Sequence, residues 1–308
     1  MNSGPMFSHS IRSKLLHNHQ LLAYTSWKIG GAAEYFYHPS DLEDLVDLLK
    51  TINSEKIKTT ILGGGSNVLI RDGGISGLVI HLANTLNHIV ITDNITNNKT
   101  IDAGAGVSLG KLMKRCLDLG MAEAAFMAGI PGTLGGALRM NAGAHGNCIW
   151  NHTKTVTTIN QTGEVKVRHA TEFRSGYRKV SGLQEGEWLL AASLEFTAGD
   201  KNTAWATARK YLQQRRQSQP IGLPNCGSVF CNPEGDYAAR LIELSGFKGK
   251  TLGGAQVSAK HANFILNINN ASSNDVENLM EEIIERVRIN FGITLHPEVH
   301  ILGKPAEQ

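Results

Sequence analysis

The chain of 308 residues lacks any run approaching the ~18 consecutive apolar residues that a membrane helix needs, so no bilayer span is expected. Its beginning, MNSGPMFSHSIRSKLLHNHQ, has no apolar h-region ahead of a small-residue cleavage site, so export is not expected either. An excess of one charge is also missing. The 30 basic and 27 acidic residues leave +3, too small and too dispersed to imply a nucleic-acid partner. Cysteine is scarce: Cys116, Cys148, Cys226 and Cys231 are the 4 thiols, too few in so long a chain for a disulfide framework. Cys226 and Cys231 are spaced too widely for a zinc knuckle and no second pair follows, so no metal site is expected. Internal repeats and low-complexity segments are absent. What remains, with 41% hydrophobic and 19% charged residues, is a folded protein of one large domain or several ordinary ones, suited to a reducing cytoplasm.

Glycine is in excess. The chain has 33 among 308 residues, clustered rather than spread, against a usual share of ~7%. Clustered glycine asks for close backbone approach to something.

Periodicity places the elements. AEYFYH at 33–38 reads as a strand, and Ser40 with Glu43 reads as a capping box opening a helix with Leu42, Leu45, Val46 and Leu49 on its stripe. Strands follow at 59–62, 68–70 and 78–82, then at 88–92 and 100–103 across the polar turn DNITNNK. Ser108 caps a helix carrying Leu109, Leu112, Met113, Cys116 and Leu117, stopped at Gly120. A hairpin at 156–168 and a strand at 188–196 come next. Helices are expected at 204–216, 237–245 and 275–291, with short strands at 264–267 and 299–302. The composition shifts suggest three parts, 20–85, 86–200 and 201–303.

Two glycine-rich loops carry the first chemical signal. GGGSN at 63–67 follows a strand, so the amides of Gly63, Gly64 and Gly65 can converge on a phosphate while Ser66 and Asn67 add side-chain donors. No Gly-Lys-Ser/Thr follows, and the pattern is not G-x-G-x-x-G leading into a helix, so neither a P-loop nor a Rossmann fingerprint is present. A flexible turn between strands is the plain alternative. In AGIPGTLGGALRMNAGAHG, Pro131 fixes a turn, Gly132 and Thr133 start a helix expected to expose its amides, and Gly135 and Gly136 permit close approach to a ligand or strand. Gly129, Asn141 and Gly143 complete the cofactor-binding candidates. Two such loops suit a long ligand such as a dinucleotide, whose pyrophosphate amides can hold without many cations.

GGGSNVLI, AGIPGTLGGALRMNAGAHG, GYRKVSG, GSVFCNP, GGAQVSAKHANFILN and HPEVHILG occur in this order. The set resembles the UDP-N-acetylmuramate dehydrogenase family, also called UDP-N-acetylenolpyruvoylglucosamine reductases, in its compact form, over residues 20–303. The resemblance implies an α+β fold: a two-lobed FAD-binding domain of the vanillyl-alcohol-oxidase type (20–85 and 86–200) and a C-terminal α+β substrate domain (201–303). It implies non-covalent FAD, NADPH as co-substrate and a UDP-sugar substrate in peptidoglycan synthesis, hence a part in cell shape and division. A monomer in the cytoplasm is the expectation. By the same resemblance, Arg178 in GYR, Ser228 in GSVF and Glu298 in HPEV match catalytic positions, while Asn232, Lys248 and His261 match positions near the substrate. Cys231 stands where a basic residue is usual, and His261 where some members have Gln.

The residue types suit those roles. Hydride addition to the terminal enol carbon leaves negative charge beside a carboxylate. Arg178 offers a planar fork for both oxygens. Ser228 can protonate the strongly basic carbon, and Glu298 fits beside an anion when burial keeps it protonated. Spacing alone reads otherwise: Arg178 as a surface cation of a basic run, Ser228 as a strand start, Glu298 as a strand-edge carboxylate. Two further functions stay open, a flavin-linked carbohydrate or lactone oxidase on the same fold and a non-catalytic nucleotide-binding protein.

Overall fold

Alternating side chains build the largest sheet. In Glu187–Thr197, Leu190, Ala192, Leu194 and Phe196 are buried at every second position, the period of a half-buried strand. The computed structural model, which describes residues 9–93 and 98–306, sets this strand at the centre of an antiparallel sheet. The strand order is Val165–His169, Thr153–Asn160, Glu187–Thr197, Asn98–Gly104, Ile89–Asp93. Residues 94–97 of the expected polar turn lie outside the described residues.

The chain divides into two units. The first holds the chain up to Leu16 with Phe36–Gly64 and Leu78–Gln214; the second holds His17–Tyr35, Gly65–Gly77 and the chain from Arg215. In the first unit, Ser108 accepts the Lys111 N–H at 3.3 Å and opens the helix Leu109–Asp118, as its sequence predicts. Leu109, Leu112, Met113, Cys116 and Leu117 form its buried face and join Leu134, Leu138, Leu194 and Phe196 in one core. Each fully buried leucine contributes about 1.5–3 kcal/mol.

The helix Leu42–Ser54 corrects an expectation. Asp41, not Ser40, is its cap, accepting the Asp44 N–H at 2.9 Å. Ser40 is instead held by Asp44, which takes its N–H at 2.8 Å and its hydroxyl at 2.9 Å. Tyr37 Oη also donates to Asp44 at 2.6 Å, and Lys14 reaches it at 2.9 Å. These donors hold the Asp44 carboxyl at about 2 against the burial that opposes ionisation.

In the second unit, the helix Ser273–Phe291 is capped by Ser272 and Asp275 in a reciprocal box and ends at Gly292 with φ 68°. It starts earlier than periodicity predicts because Asp275 is the third residue of its first turn. Val276, Leu279, Met280, Ile283 and Val287 pack with Trp27, Leu69, Phe230 and Leu241. Strands Val68–Ile70 and His300–Leu302 pair in parallel, and Thr251–Leu252, Ala255–Val257 and Ile265–Asn267 form a small antiparallel sheet. The segment after Val68–Ile70 is tied to the long helix: Arg71 makes a bidentate pair with Glu277, and Asp72 accepts the N–H and hydroxyl of Ser273, each at 2.8 Å.

Trp27, fully buried, donates its indole N–H to the Ile265 carbonyl at 2.7 Å. Trp27→Phe keeps an aromatic ring but strands that carbonyl, so it should lower unfolding stability by about 1–3 kcal/mol in a guanidinium titration. An unchanged midpoint would contradict the assignment.

Candidate active site

In the first unit the strand Thr59–Leu62 pairs in parallel with Leu78–His81 and runs into Gly63. A Cβ on Gly64 would stand 2.8 Å from Gly132 Cα, and one on Gly63 2.8 Å from Thr133 Oγ1. The two glycine-rich loops therefore meet backbone to backbone, as close-approach glycine allows. Main chain at Gly63, Gly64 and Gly132 and the Thr133 hydroxyl lie together there, groups suited to a pyrophosphate.

One expectation about the second loop is corrected. The first amides of the helix Leu134–Arg139 are not exposed: Leu134 N–H donates to Val107 at 2.8 Å and Gly135 N–H to Ala105 at 2.9 Å. Their acceptors lie in another segment, which local sequence does not reveal. Gly135 serves close packing on that segment, since its Cβ would fall 2.9 Å from the Ala105 Cβ. At Gly136 a Cβ would meet only Thr133 Oγ1, at 3.9 Å, so the loop is open on that side. Gly129 and Gly132 have φ 75° and 99° on either side of Pro131, and Gly143 pairs with Cys148 in a short hairpin. Asn141 is buried; its carboxamide donates to the Gly176 carbonyl at 2.9 Å and accepts the Trp150 N–H at 3.4 Å.

Gly176 lies close before Arg178, in the turn joining Arg174–Gly176 to Lys179–Ser181. Arg178 has φ 55°, uncommon for a residue with a side chain, and its guanidinium carbon lies 5.6 Å from the Tyr177 ring centre. Its Nε is shielded from solvent. Strands this short carry no readable period, so the hairpin escapes sequence reasoning.

The rest of the first loop belongs to the second unit. Gly65 passes close to Tyr24 and accepts the Ser26 N–H at 3.0 Å. Asn67 grips the segment that carries Glu298: its side chain donates to the Glu298 carbonyl at 3.1 Å and its own carbonyl accepts the His300 N–H at 3.1 Å. Glu298 N–H in turn donates to Val229 at 2.7 Å, Cys231 N–H donates to His296 at 2.9 Å, and Phe230 bridges Pro297. Ser228 and Glu298 thus sit on adjoining, hydrogen-bonded segments. On the other side of the Ser228 segment lies Asn263, which sequence reading did not single out: its carbonyl accepts the Val229 N–H at 2.9 Å and its side chain pairs with Phe230. Glu298 Oε2 is shielded from solvent, and burial followed by the Glu298 charge pushes the Cys226 thiol up.

The three residues expected near a substrate are in the same unit. Asn232 Oδ1 accepts the Ala238 N–H at 3.1 Å, at the start of the helix Ala238–Leu244. Lys248 pairs with Glu243 at 2.8 Å. His261 accepts the Asn263 N–H on Nδ1 at 3.3 Å, so the neutral ring carries its proton on Nε2. Burial, foremost, lowers its pKa.

Comparison with known proteins gives two matching family models, an FAD binding domain over residues 33–168 and a UDP-N-acetylenolpyruvoylglucosamine reductase C-terminal domain over 219–302. A UDP-N-acetylenolpyruvoylglucosamine reductase of Coxiella burnetii (strain Dugway 5J108-111) is 48% identical over 96% of this chain and 97% of its own length. One from Alkalilimnicola ehrlichii is 45% identical over 94% and 95%. Among solved structures, the crystal structure of the Thermus caldophilus UDP-N-acetylenolpyruvylglucosamine reductase superposes with a TM-score of 0.77 at 27% identity, covering 94% of this chain and 98% of that one. These matches bear out the expected FAD-binding α+β fold.

The His81 ring bonds the Gly63 backbone and lies 3.3 Å from His38. Burial, then the His38 charge, lower its pKa from 6.5 to about 4. The unfolded chain therefore binds this proton first as pH falls, so the stability it contributes is complete above 6.5 and lost toward 4. Guanidinium midpoints measured across that window should fall with pH, and His81→Phe should flatten the slope; an equal slope in the variant would exclude His81 as its source.

Proposed function

The chain belongs to the UDP-N-acetylenolpyruvoylglucosamine reductase family, and we propose that Arg178, Ser228 and Glu298 carry its chemistry. The protein is an FAD-dependent oxidoreductase that uses NADPH to reduce the enolpyruvyl group of UDP-N-acetylglucosamine-enolpyruvate to UDP-N-acetylmuramate, a step of peptidoglycan synthesis. When bound, FAD would supply the hydride chemistry, carrying reducing equivalents from NADPH to the enolpyruvyl double bond. The expected lobes 20–85 and 86–200 overlap the FAD-binding match at 33–168 and the expected substrate domain 201–303 contains the match at 219–302, but the units of the fold are interleaved: 20–35 and 65–77 group with the C-terminal part, and 201–214 with the first unit. Within the first unit, Gly63, Gly64 and the segment Gly129–Gly143 hold the cofactor, a reading supported by the approach of Gly64 to Gly132.

As the double-bond electrons move onto the carbon beside the carboxylate, Arg178 engages both carboxylate oxygens with its fork. Ser228 donates its hydroxyl proton to that carbon and regains one from solvent. Glu298, in its protonated form, stabilises the enolate oxygen by a hydrogen bond. The observation that carries this reading is the 2.7 Å bond from Glu298 N–H to Val229, which joins the Ser228 and Glu298 segments. Asn232, Lys248 and His261 contact the UDP-sugar. The free thiols Cys116, Cys148, Cys226 and Cys231 support a cytoplasmic setting. An oxidase is not favoured, since the curated relatives are reductases by name.

Anaerobic stopped-flow absorbance tests the assignment. Ser228→Ala should keep NADPH-driven flavin reduction and slow reoxidation by the enolpyruvyl substrate by about 10²-fold or more; equal loss in both half-reactions would remove Ser228 from the proton transfer. Arg178→Lys, a point charge in place of a fork, should slow the same step by roughly 10²-fold, and normal turnover would exclude Arg178.

A further inference from the structure

We propose that Asn263 is a positioning residue for the Ser228 hydroxyl, an inference that rests on the reading of Ser228 as proton donor. Asn263 is 2% exposed, and its side-chain amide and main-chain carbonyl are spent on the two residues that follow Ser228. Its side chain behaves as a rung of β-sheet: Oδ1 accepts the Phe230 N–H at 2.9 Å and Nδ2 donates to the Phe230 carbonyl at 2.8 Å. Its main-chain carbonyl accepts the Val229 N–H at 2.9 Å. Glu298 and His296 hold the same segment from the opposite edge, at 2.7 and 2.9 Å.

A side chain does this because no strand is there to do it. The chain turns at His261–Phe264, where Phe264 N–H donates back to His261 at 3.0 Å, and regular pairing begins only at Ile265. A carboxamide alone among short side chains matches a peptide group, donor against carbonyl and acceptor against N–H. Aspartate, equal in shape, turns an oxygen toward the Phe230 carbonyl and buries a charge; alanine leaves both Phe230 groups without their partner. Val229 and Phe230 are fully buried, so the backbone after Ser228 has no other route to rigidity than these bonds and its packing. A serine hydroxyl is a weak acid whose use depends on placement, and a ~1 Å error in placement can cost about 10²-fold in rate.

The test uses the full-length FAD-loaded enzyme as Asn263→Ala, Asn263→Asp, Ser228→Ala and the Asn263→Ala/Ser228→Ala double variant. In anaerobic stopped flow, both Asn263 variants should keep flavin reduction by NADPH within about twofold. Reoxidation by the enolpyruvyl-UDP-sugar should slow roughly 10- to 100-fold, with the substrate concentration for half-saturation little changed. The double variant should be no slower than Ser228→Ala, because a residue acting through Ser228 has nothing left to position. Multiplicative losses in the double variant, or equal losses in both half-reactions, overturn the proposal, as does a normal Asn263→Ala beside a slow Ser228→Ala. Parental reoxidation in Ser228→Ala overturns the assignment of Ser228 itself. Where Asn263→Ala does not retain flavin, Asn263→Asp carries the comparison; if neither retains it, the role is structural and the proposal falls.

Discussion

The pass of Gly64 over Gly132 is the constraint from which the first unit's glycine architecture follows. With a Cβ only 2.8 Å from the opposing Cα, no other residue lets these two loops share one place. The strand Thr59–Leu62 must then end at Gly63, and Thr133 must stand beside it. The amides of Leu134 and Gly135, turned away from the loop, bind Val107 and Ala105 and fix the second loop from behind. The loop pair is thus held by main-chain contacts whose geometry side-chain motion does not alter.

Around the candidate chemistry, asparagine does what strands do elsewhere. Asn67 holds the Glu298 carbonyl, Asn141 holds Gly176 just ahead of Arg178, and Asn263 holds Phe230 just beyond Ser228. Each proposed catalytic side chain projects from a turn or irregular backbone, and a carboxamide is fastened to that stretch or to the strand end beside it. Irregular backbone frees a side chain from sheet alternation, while the carboxamide restores the satisfied polar groups that a sheet would have supplied. Functional groups are thereby held on a framework that is rigid without being regular.

What the sequence discloses depends on how local its cause is. The helix Ser273–Phe291 was legible because its apolar stripe and its cap lie within the segment. Even there, Asp41 displaced Ser40 as the cap of Leu42–Ser54, since Asp44 draws Ser40 into its own hydrogen bonds. The hairpin of Arg178 was hidden by its brevity, and Arg178, which spacing alone reads as part of a basic surface run, stood out only through the GYR motif. Ser228 and Glu298 likewise became candidates only as members of ordered motifs, because the 2.7 Å bond joining their segments spans a long stretch of chain. Asn263 and the occupied amides of Leu134 and Gly135 were illegible for the same reason: their partners lie in other segments, and nothing in a linear pattern names them.

The ties between Arg71–Asp72 and the first turns of the helix Ser273–Phe291 constrain how this chain can diverge. Arg71 and Glu277 match as fork and carboxylate, and Asp72 and Ser273 as acceptor and donor, so a change on either side leaves a mismatched group at a part-buried junction. Exchanges at Arg71 with Glu277, or at Asp72 with Ser273, keep the junction satisfied only when both members of a pair change together, so two segments far apart in the chain share one constraint.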